Sequence, residues 1–363
     1  MLYYITLTTI CNLNCKYCGN NPDPRIQPLN LSIPIRDIKK FISIDPEPYI
    51  CFYGGEPLLQ IDLVKAIMNS IPAKKFILQT NGILLHKLEP SYIKRFSDIL
   101  VSIDGRPEIN DYYRGLGTYK AVLKNIKYIR EMGFHGNVIA RMAVSGKSDI
   151  YREVKHLVEL DNPHFDYVHW QLDVMWDSPP YQRYENFDEW IENVYNPGIS
   201  KLVDYWVNEL SKGRFRGIIP FMGIMHTLLT GEKVELRCGS GINAFAITTD
   251  GRILACPIAP EFSFNRLGTI YDTKPQDLPY KVTVEEPCTS CEYLDICGGR
   301  CLFANKTKLW GIDGFRKVCK TVIHLINELK KARDVVADMV KRGMYSVEDF
   351  RYPKYPNSIE VIP

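Results

Sequence analysis

The first half of the chain alternates between short apolar runs and amphipathic stretches. Runs of β-branched, aromatic and aliphatic residues predict six strands, at 2–8, 49–53, 75–80, 99–103, 137–143 and 167–173. Stretches with helical spacing lie between them, near 61–70, 90–96, 119–132 and 149–160. Repeated strand–helix–strand units predict an α/β fold with parallel strands, and six strands are too few to close an eight-stranded barrel. We therefore expect a partial (β/α)6 barrel, with its chemistry at the carboxyl ends of the strands.

The pattern changes in the second half. Residues 184–230 have helical spacing, and Pro197 with Gly198 predicts a break into two helices. Two apolar runs at 244–248 and 252–256 flank an Asp-Gly pair, which predicts a β-hairpin.

A third change occurs near the C-terminal end. Residues 284–320 are rich in Cys and Gly and have little periodicity, as expected of a small module organised by metal. Residues 321–340 return to helical spacing, and a tail rich in Pro and Tyr follows. The predicted regions are a barrel with a helical extension at 1–235, a Cys-rich domain at 236–320, and a C-terminal helix and tail at 321–363.

Composition and charge exclude several classes of protein. Hydrophobic residues make up 45% of the chain and charged residues 24%, which is typical of a globular protein. A net charge of +3 is too small to indicate binding to nucleic acid or to a membrane. Without a secretory signal or a long apolar span, a cytoplasmic location is expected, where thiols stay reduced. The eleven cysteines cannot all pair, so their clustering indicates metal or redox chemistry.

Three of these cysteines, Cys11, Cys15 and Cys18, directly follow the first predicted strand. Three soft ligands on one loop can hold an iron–sulfur cluster or a zinc ion. A cluster with only three cysteine ligands has one iron open to a small molecule.

A second motif, Gly-Gly-Glu-Pro at 54–57, ends the second predicted strand. Its glycines allow close approach of a ligand, and its carboxylate can accept hydrogen bonds from an ammonium group.

The cysteine spacing and the Gly-Gly-Glu-Pro motif together resemble radical S-adenosylmethionine (SAM) enzymes. The resemblance implies a [4Fe-4S] cluster on the three cysteines, with SAM bound at the open iron. It implies that Ser102 and Arg114 lie near the ribose or carboxylate of SAM and that Tyr17 lies by the adenine. Gln171 and Asp173 end the sixth predicted strand and are the candidates for further catalytic residues. The SAM-binding residues implied by the resemblance are Tyr17, Gly54, Gly55, Glu56, Pro57, Asn81, Ser102 and Arg114.

The C-terminal cysteines form a second pattern. Four of them lie between 288 and 301, and four cysteines at such spacings can also close a tetrahedral zinc site. Preceded by Cys238 and by a hairpin that ends at Cys256, they resemble a SPASM domain. This resemblance implies two auxiliary [4Fe-4S] clusters. The implied ligands are Cys238, Cys256 and Cys301 for the first auxiliary cluster, and Cys288, Cys291, Cys297 and Cys319 for the second.

One auxiliary ligand is missing from this chain. The family pattern has another cysteine shortly after the first, whereas residues 239–244 contain none. One iron of the first auxiliary cluster would then be open to substrate, water or a noncysteine ligand.

Cys51 belongs to none of the three groups of cluster ligands. It lies in an apolar strand, so we expect it to be a buried core residue.

These features imply a radical SAM enzyme that cleaves SAM reductively and abstracts hydrogen from a ribosomally made peptide. The product would be a thioether, a carbon–carbon crosslink or another oxidised residue. A protein maturase of the anaerobic sulfatase-maturating type is the nearest alternative, but that branch carries an aspartate where this chain has Pro257. A noncatalytic iron–sulfur electron carrier is the alternative from another class, and the intact 54–57 motif argues against it.

The same resemblance indicates the kind of partners. We expect a peptide or small protein as substrate and an external electron donor of the ferredoxin or flavodoxin type. Only ten residues precede Cys11, too few for a peptide-recognition domain. Leader recognition would then fall to the SPASM region, the tail or a separate protein.

Overall fold

A parallel sheet forms the centre of the protein. The computed structural model describes residues 1–19, 22–174, 184–351 and 362–363. Six strands pair in parallel in chain order, which gives the topology of a partial barrel and confirms the predicted α/β fold. Their carboxyl ends therefore lie along the same edge of the sheet. The strands are β1 (Leu2–Thr8), β2 (Tyr49–Gly54), β3 (Lys75–Thr80), β4 (Phe96–Ser102), β5 (Asn137–Val144) and β6 (Tyr167–Leu172).

Helices connect these strands and continue into the second half of the chain. Two of those in the barrel, at 35–42 and 107–114, were not predicted. The helices are α1 (Ile35–Ile42), α2 (Ile61–Ser70), α3 (Pro90–Ile93), α4 (Pro107–Arg114), α5 (Thr118–Glu131), α6 (Ile150–Val158), α7 (Phe187–Trp190), α8 (Asn196–Ser211), α9 (Ile219–Thr230), α10 (Leu294–Cys297), α11 (Leu302–Thr307) and α12 (Gly311–Lys341).

The predicted helix break at Pro197 and Gly198 is wrong. A π-helical segment, Ile191–Tyr195, joins α7 to α8, so the helical path continues through both residues. Pro197 lies in the first turn of α8, directly after the π-helical segment. Gly198 packs against α6, where an added Cβ would lie 2.6 Å from the Ile150 side chain. The break comes instead between α8 and α9.

The predicted hairpin extends the same sheet. Strands β7 (Ala244–Ile247) and β8 (Arg252–Leu254) are antiparallel, as predicted, and β9 (Arg266–Thr269) adds a third strand. Strand β7 also pairs in parallel with β1, so nine strands of the described residues form one sheet. Leu254, two residues before Cys256, is level with Tyr4 in the middle of β1.

The core lies between the sheet and its helices. Most apolar side chains of β1 to β7 are buried, and Cys51 is fully buried among them, as expected. Helix α12 packs against α8 and α9 and is longer than the helix predicted at 321–340. Part of the predicted tail, residues 352–361, lies outside the described residues. Within the described part of the chain, none of the helices is long and apolar enough to cross a membrane.

Candidate active site

A cavity of about 530 Å³ opens on the parallel strands. Thr6, Gln79, Ser102, Arg141 and Gln171 line it, one from each of β1, β3, β4, β5 and β6. The strands thus present polar side chains at the edge where an α/β fold places its chemistry. The volume lies within the range of small-molecule and cofactor sites, roughly 300 to 1,000 Å³.

The three N-terminal cysteines line this cavity together. Their loop leaves β1 and is held in place by the Lys16 N–H, which donates to the carbonyl of Tyr113 at 2.9 Å. Burial raises the pKa of the Cys15 thiol to about 11, although Arg114 acts in the opposite direction. Burial also raises the pKa of Cys11, and its thiol lies close enough to Cys18 for the two to interact electrostatically. Such thiols give up their protons when they bind metal.

The glycines of the 54–57 motif bring the end of β2 against the cysteine loop. Gly55 N–H donates to the Thr8 carbonyl at 2.9 Å, and Glu56 N–H donates to the Ile10 carbonyl at 2.9 Å. A Cβ on Gly54 would lie 2.1 Å from the Thr8 oxygen, and one on Gly55 would lie 2.3 Å from the Ile10 oxygen. Only glycine allows this approach of one main chain to another. Both glycines line the cavity.

The carboxylate of Glu56 does not face the cavity, contrary to the expectation that it accepts hydrogen bonds from a ligand. The side chain is fully buried and accepts from Leu58 N–H at 3.0 Å, Thr80 Oγ1 at 2.8 Å and Asn81 N–H at 2.7 Å. Burial raises its pKa to about 7, while these hydrogen bonds act in the opposite direction. Glu56 therefore ties the end of β2 to the end of β3. Pro57 is also buried, and it begins a 3-10 turn.

Asn81, which Glu56 anchors, lies at the junction of β3 and the cysteine loop. Its side-chain amide donates to Asn12 Oδ1 at 2.7 Å and to the Cys11 thiol at 3.7 Å. Asn81 lines the cavity. A residue predicted to contact SAM therefore also holds the loop that carries the first cysteine.

Asp104 is a residue whose importance the sequence analysis missed. It is fully buried just after β4 and accepts from Arg114 Nε at 2.9 Å, Arg114 Nη2 at 2.8 Å and Tyr17 OH at 2.6 Å. Burial lowers the pKa of Arg114, but Asp104, Tyr17 and Cys15 together outweigh it and the net shift is upward. The signal for this role was a carboxylate at a strand end ten residues before an arginine. Asp104 therefore orients Tyr17 and Arg114, which both line the cavity.

The two further candidates at the end of β6 also line the cavity. Asp173 is buried and accepts from Ser145 Oγ at 2.7 Å. Gln171 is half-buried, and its side-chain amide donates to the main-chain oxygen of Ile362 at 3.4 Å.

Cys238, Cys256 and Cys301 line the same cavity as the N-terminal thiols. Burial raises the pKa of Cys256 well above its usual value, and the charges of Cys301 and Cys238 act in the same direction. The Cys238 thiol donates to the Ser240 hydroxyl at 3.3 Å, and Ser240 also hydrogen-bonds to Cys256. Ser240 thus lies between two thiols in the segment that lacks the expected cysteine. Pro257 lines the cavity beside them.

Cys288, Cys291, Cys297 and Cys319 form a separate group. Burial raises the pKa of Cys297 to about 12, and Cys319 and Cys288 are the cysteines that interact with it. Burial raises the pKa of Cys319 to about 11, with contributions from Cys288 and Cys291. Among the residues described as lining the large cavity, none belongs to this group.

The spacing of the thiols bears on the kind of metal they would hold. Among the described residues, no three His, Cys, Asp or Glu side chains gather closely enough to hold a single metal ion. In an iron–sulfur cluster each cysteine binds a different iron, so its thiolates are farther apart than the ligands of one ion. The donors in all three groups are soft thiols, which are the ligands that iron–sulfur clusters take.

Comparison with known proteins gives a family match that includes much of this site. The profile of the radical SAM superfamily matches residues 5–160. An uncharacterized protein of Archaeoglobus fulgidus is 25% identical, over 96% of this chain and 86% of its own length. The cysteine-type anaerobic sulfatase-maturating enzyme of Clostridium novyi is a homologue, 23% identical over 80% of this chain and 84% of its own.

Two solved structures share the fold. The structure of anSMEcpe with bound AdoMet superposes with a TM-score of 0.70 and 19% identity, covering 94% of this chain and all of that one. Streptococcus suis SuiB bound to its precursor peptide SuiA superposes with a TM-score of 0.56 and 16% identity, covering 83% and 71%. The profile match includes the cysteine loop and the ends of β1 to β5, which build most of the cavity. This protein is therefore an enzyme that contains a radical SAM domain, matched over residues 5–160.

Proposed function

We propose that this protein modifies a ribosomally made peptide by radical SAM chemistry and leaves an oxidised product such as a thioether or carbon–carbon crosslink. One observation carries the proposal: the thiols of Cys11, Cys15 and Cys18 and those of Cys238, Cys256 and Cys301 line a single cavity. A substrate in this cavity would contact both groups. That arrangement suits an oxidation in which hydrogen and an electron leave the same substrate.

Cys11, Cys15 and Cys18 would hold the [4Fe-4S] cluster that binds SAM. When bound, the cluster and SAM supply a 5′-deoxyadenosyl radical through reductive cleavage of SAM. Gly54 and Gly55 supply main-chain surface for SAM, since no side chain separates them from the cysteine loop.

The polar strand ends would complete the SAM site. Asn81, Ser102 and Arg114 supply hydrogen-bond donors, and Tyr17 supplies a flat aromatic face. Asp104 holds Tyr17 and Arg114 in fixed orientations, so they need not reorganise when SAM binds. Glu56 contributes to the SAM site indirectly, because it accepts a hydrogen bond from the Asn81 N–H and so positions Asn81.

Cys238, Cys256 and Cys301 would hold the first auxiliary cluster, and Cys288, Cys291, Cys297 and Cys319 the second. The first group contributes three thiols to the cavity, and Ser240 is the noncysteine oxygen that lies against two of them. Substrate or Ser240 would therefore take the place of the missing fourth cysteine. The second group lies away from the cavity lining and suits electron transfer to an external protein of the ferredoxin or flavodoxin type.

Two of the solved structures support a peptide as the substrate. SuiB is bound to a precursor peptide, and anSMEcpe has been solved with a Cp18Cys peptide. A separate leader-recognition protein remains part of the proposal, as does a reducing cytoplasmic location that keeps the cysteines as thiols.

Sulfatase maturation is the second candidate, favoured by the homologous Clostridium novyi enzyme. Pro257 is the observation against it. It lines the cavity directly after Cys256, where the sulfatase-maturating branch carries an aspartate, and proline has no side chain that can accept a proton.

Anaerobic reconstitution tests the proposal. The wild-type chain is expected to hold about 12 iron atoms, as three four-iron clusters require, and to form 5′-deoxyadenosine from SAM and reductant. Cys18→Ala should lose about four iron atoms and all SAM cleavage, whereas Cys51→Ala, a buried cysteine outside all three groups, should retain both. Full SAM cleavage by Cys18→Ala would contradict the assignment of the cluster.

The substrate class is tested in the same preparation. Mass spectrometry should show loss of two hydrogens from a precursor peptide encoded near the gene. Modification of a sulfatase-derived cysteine peptide instead would favour the second candidate.

A further inference from the structure

The main chain of Ile362 and Pro363 lies at the cavity. Ile362 lines it and has 1% of its surface exposed. Its main-chain oxygen accepts from the Gln171 side-chain amide at 3.4 Å, and the main-chain oxygen of Pro363 accepts from Arg300 Nε at 2.8 Å. Residues far along the chain therefore bind beside the cysteines and strand ends as a peptide ligand would.

Arg300 is built for such a contact. It is 8% exposed, has a positive φ of 51° and follows two glycines that also have positive φ. A strained residue held in this way points to a function that requires its position. It immediately precedes Cys301, and its side chain reaches the cavity that Cys301 lines.

The guanidinium of Arg300 has unused hydrogen-bonding capacity. Among the described residues, its Nη2 is buried and has no hydrogen-bond partner. A buried donor without an acceptor is costly, so this group is expected to meet an acceptor in the working enzyme. Nε already donates to a main-chain oxygen, and Nη2 of the same planar group would donate to a second acceptor of a bound ligand.

We propose that Gln171 and Arg300 form a subsite for the main chain of the peptide substrate and that Ile362 and Pro363 occupy it in the free enzyme. Both side chains donate to main-chain oxygens, so they recognise a peptide of any sequence. The burial of Ile362 adds a preference for an apolar side chain at one position. Ile362 and Pro363 thereby compete with the substrate. This inference rests on the proposed function only in taking a peptide to be the ligand of the cavity.

A binding assay tests the subsite without requiring turnover. The probe is a fluorescently labelled hexapeptide with the sequence of residues 358–363, Ser-Ile-Glu-Val-Ile-Pro, titrated anaerobically against the reconstituted enzyme. Ile362→Asp in the enzyme replaces a buried apolar side chain with a charge and should release the tail. The probe should then bind at least about tenfold more tightly than it binds wild type, because a tethered competitor has been removed.

Two further variants in the Ile362→Asp enzyme identify the donors. Arg300→Met and Gln171→Met should each weaken probe binding, the former by about tenfold, the loss expected for one hydrogen bond from a charged donor. Arg333→Met is the matched control, because Arg333 Nε also donates to a main-chain oxygen, that of Leu228 at 2.9 Å, but lies outside the cavity lining. It should leave binding unchanged. Iron content shows that each variant is assembled.

The outcomes separate this inference from the proposed function. Equal probe affinity for wild type and the Ile362→Asp enzyme would overturn the inference, as would unchanged affinity in both Met variants. If the preparation shows either of these results but still modifies precursor peptides, the subsite is rejected and the proposed function is kept. A preparation that binds the probe as described but modifies no peptide would keep the subsite and reject the proposed function.

Discussion

Replacing Asp104 with asparagine should show that this buried carboxylate holds the SAM side of the cavity together. Asp104 accepts four hydrogen bonds: two from Arg114, one from Tyr17 and one from the Ala143 N–H at 2.9 Å. Asparagine keeps one carbonyl oxygen and turns an NH2 group toward the other donors. It also leaves the Arg114 guanidinium, itself 9% exposed, without a negative charge.

The structure sets the scale of the loss. Breaking a buried ion pair by removing one partner costs about 3 to 5 kcal/mol. With an unfolding entropy of about 2.1 cal/mol/K per residue, a cooperative chain of 363 residues should lose about 4 to 7 °C in Tm.

Thermal unfolding followed by circular dichroism measures this shift. Asp149→Asn is the matched control, because Asp149 is a partly exposed N-cap of α6 and asparagine caps helices equally well. Combining Asp104→Asn with Arg114→Met should cost less than the sum of the single changes, since the two residues interact. A Tm for Asp104→Asn within about 1 °C of wild type would refute the argument that the pair is buried and coupled.

Three other predictions concern Glu56, Gly55 and Cys291. Burial raises the pKa of Glu56 from 4.5 to about 7, so the protonated carboxyl stabilises the fold most below pH 4.5. Relative to Glu56→Gln, wild type should then lose about 3 kcal/mol of stability as the pH rises to 7. A constant difference between the denaturant midpoints of the two proteins across this pH range would contradict the raised pKa of Glu56. Gly55→Ala should prevent assembly of the SAM cluster because its Cβ would meet the Ile10 carbonyl at 2.3 Å, whereas Gly213→Ala, with open space around it, should cost only about 1 to 2 kcal/mol; equal iron contents in the two variants would exclude the steric argument. Cys291→Ala should lose about four iron atoms and keep SAM cleavage, and loss of all iron would show that the cysteine groups do not assemble independently.

The strands and the local motifs could be predicted because their signals are short-range. The bounds of β1 and β3 agree with the prediction to the residue, since a buried parallel strand is a continuous apolar run ended by polar residues. The order of the barrel strands follows from the handedness and shortness of strand–helix–strand connections. Cys11 to Cys18 and the 54–57 motif likewise lie within single loops, so their residue types and spacing were visible in the sequence alone.

The roles within the motifs depend on residues far away in the chain, and only the tertiary structure decided them. The Glu56 side chain faces inward because it accepts hydrogen bonds from the Thr80 hydroxyl and the Asn81 N–H. No local sequence pattern shows that pairing. The role of Asp104 is evident only from its hydrogen bond with Tyr17, which lies 87 residues earlier in the chain.

The cysteine groups and the tail show the same division. Spacing alone does not separate Cys297 from Cys301; the resemblance to a family suggested the separation, and the fold brings Cys301 to the cavity. Nothing in the sequence indicated that Ile362 would lie beside Gln171, 191 residues earlier. Sequence determines local conformation and the available chemistry through short-range periodicity and spacing, whereas burial and hydrogen-bond partners are long-range properties that exist only after the chain has folded.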